Sequence, residues 1–183
     1  MLVKCSSPLE HGDASSSVTL VPRLEYSLHL LNDMIAILED KCSELKESNK
    51  SVALDFDESD NVHLDAIRLE QIMTYSLDIL LHIKQRTERI SGIASIPEIL
   101  PASIPMIRTA SAQLFGVIPL CSQKLSELSV HLGSIVLDSA VLTKARFDFS
   151  QSNKESSTIL DEVKLMADSK LSKQYPNLDF SKL

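Results

Sequence analysis

The chain has 183 residues, 44% hydrophobic and 23% charged, with a formal net charge of −7. That balance excludes a disordered polar tail and a basic surface that grips phosphates. Five Phe, three Tyr, no Trp and only four Gly argue against the aromatic strands and glycine turns of barrels and sandwiches, and against the glycine-rich loops of most α/β enzymes. Long aliphatic helices are expected instead.

Residues 1–18 read as a disordered lead, because Ser6, Ser7, Pro8, Gly12 and the run Ser15, Ser16, Ser17 carry no periodicity. Ser7-Pro8 is the form of a proline-directed phosphoacceptor. Met1–Val3 followed by Lys4 lacks the apolar core of a signal peptide. No apolar run approaches the roughly 18 residues needed to span a bilayer.

A long-helix coiled-coil region is expected over 19–150. Its first helix should cover about 20–47, with Pro22 in the first turn. Leu24, Leu28, Leu31, Ile35, Leu38, Cys42 and Leu45 recur at alternating steps of four and three, a heptad seam. Leu30, Met34 and Ile37 add a second stripe, wider than a two-stranded coil needs. An acidic connection follows, with Asp55, Asp57, Glu58 and Asp60. It fails as an EF-hand, since Asp60 stands where glycine is required and Ala66 where a bidentate Glu is required.

The second helix is expected over 62–91, with Leu69, Ile72, Ile79, Ile83 and Ile90 on one seam and Met73, Leu77 and Leu80 beside it. Glu70, Asp78, Lys84 and Arg86 fall on the remaining surface, and Gly92 is a candidate C-cap. Pro97, Pro101 and Pro105 then impose a turn. A third long helix over 104–149 carries Leu114, Leu125, Leu128, Leu132, Ile135 and Leu142 on its seam, with Gly116 and Pro119 bending or splitting it. Residues 151–183 should hold a short final helix, about 156–171, and a tail. The fold class is therefore all-α: an elongated helical hairpin or three-helix coiled-coil bundle with a short C-terminal helix.

The residues that usually carry chemistry are scattered. His11, His29, His63, His82 and His131 form no HExxH and no i,i+4 pair, so neither a metal nor a cofactor is expected. Ser91-Gly92 and Gly133-Ser134 are not nucleophile elbows. Cys5, Cys42 and Cys121 are odd in number and widely spaced, which suits a reducing compartment, cytoplasm or nucleus. Cys42 and Cys121 occupy seam positions, where cysteine packs as a small hydrophobe. Basic residues make no stripe for nucleic acid, and no helix shows the Lys-rich face of a membrane-surface helix.

The seams remain, and they point to helix packing as the chain's business. The partner-packing positions are Leu24, Leu28, Leu31, Ile35, Leu38, Leu45, Leu69, Ile72, Ile79, Ile83, Leu114, Leu125, Leu128, Leu132, Ile135 and Leu142. The extra stripes are expected to cover partner chains.

The layout, with Arg68-Leu69-Glu70-Gln71-Ile72, the proline turn Ile96–Pro101 and Leu142-Thr143-Lys144-Ala145-Arg146-Phe147, resembles the small light chains of the dynactin shoulder, dynactin subunit 3. The resemblance covers about 24–149. It implies a non-enzymatic cytoplasmic subunit of dynein-based microtubule transport, bundled with dynamitin and the coiled coil of the large dynactin subunit. The alternatives are a coiled-coil subunit of another assembly, such as a kinetochore, tethering or Mediator-type module, or a self-contained helical bundle.

Overall fold

The computed structural model describes residues 13–52, 61–146 and 148–176. Among these residues six α-helices follow in order: α1 Asp13–Val52, α2 Asn61–Thr87, α3 Ile96–Ile99, α4 Ser103–Leu114, α5 Pro119–Thr143 and α6 Phe149–Gln174. A 3₁₀ turn, Ile93–Ser95, leads into α3. No strand occurs among the described residues, so the fold is all-α. The acidic connection at 53–60 and the Ser7-Pro8 dipeptide lie outside the described residues.

The helix boundaries differ from expectation at both ends of α1, which runs on to Val52, at the end of α2, and in the third and last helices. α1 starts at Asp13 and runs through Pro22, so 13–18 belong to a helix and not to the lead. Leu20 is fully buried against the core, and that burial offsets the ladder hydrogen bond that Pro22 removes. α2 stops at Thr87, whose hydroxyl bonds back to the Ile83 and Lys84 carbonyls at 3.1 and 2.8 Å. Gly92 is no left-handed cap; its backbone is extended and it precedes the 3₁₀ turn.

The third expected helix is two helices. Ile118 takes φ −134°, ψ 82°, because a residue before proline is pushed out of the α region. Pro119 then opens α5, and the chain reverses rather than bends. Ser111 ties the hairpin together by bonding the Ser122 carbonyl at 2.8 Å and the Ser126 hydroxyl at 2.9 Å.

The final helix is 26 residues long, not short. Lys144 in the left-handed region (φ 52°) ends α5, with the Ala145 N–H returning to the Ala140 carbonyl at 3.1 Å. Asp148 then caps α6 by accepting from the Ser150 N–H at 2.8 Å.

Splitting the third helix changes the architecture. α1 packs on α2, α2 on α4, α4 on α5, and α5 back on α1. Side-chain pairs show each neighbour running antiparallel: Asn49 with Glu70 between α1 and α2, Ser76 with Gln113 between α2 and α4, Arg23 with Asp138 and Ser134 between α1 and α5. The result is a ring of four helices in up-down-up-down order, where three had been expected. α6 lies outside the ring, on α2 and α4, antiparallel to α2 through Arg86–Glu155, Gln71–Asp168 and Glu70–Tyr175.

A helix with two ring neighbours must bury two stripes. That accounts for the width that the seams show in the sequence. Leu31, Met34, Ile35 and Leu38 of α1 join Ile79, Leu80 and Ile83 of α2, Met106, Ile107 and Leu114 of α4, and Leu125, Leu128, Leu132 and Ile135 of α5 in one core.

Candidate partner-binding surface

The sixteen seam residues can now be placed. Leu31, Ile35, Leu38, Ile79, Ile83, Leu114, Leu125, Leu128, Leu132 and Ile135 lie in the chain's own core. Leu24 and Leu142 are half-buried and pack against it, and Leu28, Leu45, Leu69 and Ile72 are half-buried too. The second stripes close inward as well: Met34, Met73 and Leu80 are buried, while Leu30, Ile37 and Leu77 pack on the core's edge. The apolar surface that the heptads suggested for partners is consumed within the bundle.

What stays outside is a different stripe. Along α5, Leu120, Gln123, Glu127, Val130, Ser134, Leu137 and Val141 also alternate by three and four, on the side away from the core. Val130 is 69% exposed and Val141 78%, and Leu120 and Leu137 are more than half exposed. Between Glu127 and Asp138 there is no Lys, Arg, Asp or Glu. Asp138 itself is paired with Arg23 of α1. Gly133 adjoins the stripe, with open space where a Cβ would be. The neighbouring ridge of α1 adds exposed Val21 and Tyr26, the latter's ring 5.8 Å from that of His131.

The expectation that no segment is apolar enough to span a bilayer does not hold for α5, which reaches that length and composition. The cause is its two apolar faces. Cys121, Leu125, Leu128, Leu132 and Ile135 line the core side, while Val130, Leu137 and Val141 line the outer one. A single-seam reading of this helix sees the first face and misses the second, although the second is present in the sequence at the same spacing.

A second feature sits at the end of the bundle. Lys41, Glu44, Leu45 and Ser48 of α1, Leu69 and Met73 of α2, and Val117 and Ile118 of the α4–α5 turn line a cleft of about 320 Å³. Its walls are mainly aliphatic, and Lys41 and Glu44 form an ion pair at its rim, 2.6 Å apart.

A third feature is a polar clasp where α1, α2 and α6 meet. Glu70, expected on the surface, is 0% exposed. Its Oε2 accepts from Asn49 Nδ2 and from the Tyr175 hydroxyl, both at 2.8 Å, while Oε1 has no hydrogen-bond partner. Burial, and then the adjacent Glu70 carboxylate, push Tyr175 up to about 12. Asp78 is buried as well, and pairs with Lys170 of α6. The packing of α6 along α2 explains both burials: its C-terminal end covers a flank of α2 that would otherwise face solvent.

The two described cysteines are buried packing residues. Burial pushes the Cys42 thiol up to about 11 and raises Cys121 also, away from the thiolate that reactivity needs. Burial lowers His82, helped by Arg86 and Arg89 and opposed by Glu162. Among the described residues no three His, Cys, Asp or Glu side chains gather to hold a metal ion. No family model matches the chain, and a search of the solved structures finds no match.

Proposed function

We propose that the chain is a non-enzymatic helical subunit that docks a heterologous coiled-coil partner along the outer face of α5. The observation that carries this reading is the second heptad face, exposed and free of charge from Ser129 to Leu137. Exposed apolar stripes of this kind are costly in water and mark protein contacts, and an amphipathic helix laid alongside covers them through matching anchors. The named instance we propose is the dynactin shoulder light chain, in cytoplasmic dynein-based transport, with dynamitin and the large dynactin subunit as partners. Its support is the resemblance of Arg68–Ile72, Ile96–Pro101 and Leu142–Phe147.

One observation favours a second reading, a self-contained bundle: the seams close on each other within one chain. A single experiment separates the two. Tagged wild type and Leu137→Glu are recovered from native extract, and co-purifying chains are identified by mass spectrometry. Dynamitin and the large dynactin subunit, held by wild type and lost in the variant, would support the named complex. A different set of coiled-coil chains with the same dependence keeps the function and replaces the name. Identical recoveries, with no chain depending on Leu137, would leave the self-contained bundle.

A further inference from the structure

α6 is fastened to the ring differently from the way the ring helices are fastened to one another. The ring closes through one continuous aliphatic core. α6 lies outside it, on α2 and α4, and offers a narrow buried edge: Ile159, Val163, Ala167 and Leu171, one aliphatic residue per turn. The rest of the contact is polar. Arg86–Glu155 sits towards one end and Lys170–Asp78, Gln71–Asp168 and Glu70–Tyr175 towards the other. Between them the Tyr75 hydroxyl donates to the Leu160 carbonyl at 3.2 Å.

That polar contact is incomplete. Among the described residues six buried side-chain atoms lack a hydrogen-bond partner, and four of them belong to α6 or to α2 side chains paired with it: Glu70 Oε1, Asp78 Oδ2, Arg86 Nε and Ser156 Oγ. Each carries a desolvation cost that water would remove. The ion pairs lean the same way. Their α2 members, Asp78 and Arg86, have side chains 7% and 13% exposed, whereas their α6 members, Lys170 and Glu155, are 59% and 45% exposed. Water can replace α6 at each of these groups, so docking rests on the one aliphatic edge. A hinge is also in place. Lys144, between α5 and α6, is the one non-glycine residue of positive φ among the described residues, and Ala145, Arg146 and Asp148 follow outside either helix. A few such residues suffice to absorb a change of direction.

We infer that α6 is a strap, which docks and releases as one unit on a ring that stays folded when it leaves. The four ring interfaces are made without it. An element held by few buried apolar contacts and many solvated polar ones opens below the free energy of global unfolding. Release bares the flank of α2 that carries Glu70 and Asp78. It leaves the outer stripe of α5 as it was, since that stripe borders α1 and α6 lies on α2 and α4.

Hydrogen exchange of the full chain, read peptide by peptide with mass spectrometry, tests the inference. Peptides across α6 should exchange at one common rate, about tenfold or more faster than those of α1 and α5. Val163→Asp, at a position 0% exposed, should abolish protection in α6, while α1 and α5 lose no more protection than α6 had in wild type. Ser156→Ala removes an unpartnered buried hydroxyl. It should slow exchange of α6 about fivefold more than Ser157→Ala, the same replacement at an exposed site of the same helix. Wild-type α6 that exchanges no faster than the ring would overturn the inference, as would a loss of ring protection in Val163→Asp beyond the stated limit. Equal effects at Ser156 and Ser157 would overturn it too, because the docked contact would then carry no polar cost.

Discussion

Leu128 and Val130 stand two residues apart on α5 and should respond in opposite ways to truncation. Leu128 is 1% exposed and packs between α1 and α5. It borders a crevice with no room for water, lined also by Leu24, Leu28, Leu31 and Leu132. Leu→Ala at a buried site costs about 2–5 kcal/mol, and the cost rises with the space that neighbours fail to refill. Leu128→Ala should fall within that range, about 2–5 kcal/mol. For a domain with about 5–15 kcal/mol of total stability, that is a large share. Val130→Ala should change stability by about 0.5 kcal/mol or less, because the side chain faces water and alanine is the better helix former. Urea unfolding followed by far-ultraviolet circular dichroism measures both. Equal costs, or a larger cost at Val130, would show that the two faces of α5 have been assigned the wrong way round.

Gly133→Ala should stabilise the free chain by about 0.5–1 kcal/mol, since a helical glycine is exchanged for alanine at a place where the new Cβ meets nothing; a loss in the same urea assay would mean that a neighbour occupies that space. His82 gives a pH signature. Its folded pKa lies below the ordinary 6.5 through burial and the nearby Arg86 and Arg89, so the unfolded chain binds this proton first. The contribution is complete above the unfolded value of about 6.5 and is lost as pH falls from there through the lower folded value. Thermal unfolding of wild type should therefore weaken more than that of His82→Gln as pH is lowered from neutral, and parallel curves would refute the assignment.

Helix type and core membership were legible because aliphatic residues at steps of three and four report burial directly, and Leu31, Ile79 and Leu125 lie where that spacing puts them. Pro119 signalled a break, but not its size. A kink and a full reversal share the same residue, and the choice was made by burial of α4 and α5 against each other. Glu70 and Asp78 were illegible for a related reason. A carboxylate at an off-seam position faces water unless another element covers it, and the covering element, α6, has a Ser- and Lys-rich sequence that does not announce which helix it packs on. The outer stripe of α5 was present at heptad spacing, but one seam per helix was the wrong allowance for a helix that is apolar on both sides.

The ring has a kinetic consequence. Three of its four interfaces, α1–α2, α2–α4 and α4–α5, join helices that follow one another among the ring members. Such local pairings form quickly, because short connections cost little entropy to close. The fourth, α1 against α5, joins residues more than a hundred positions apart, as Arg23 with Asp138 shows. It is the slow closure that completes the ring. A ribosome releases α5 last of the four, so α1 spends its early life with one side uncovered, the side that bears Leu24, Leu28 and Leu31. Within that interval a second nascent chain can offer its own α5, and exchange of that helix between molecules is the misassembly to which this topology is most open.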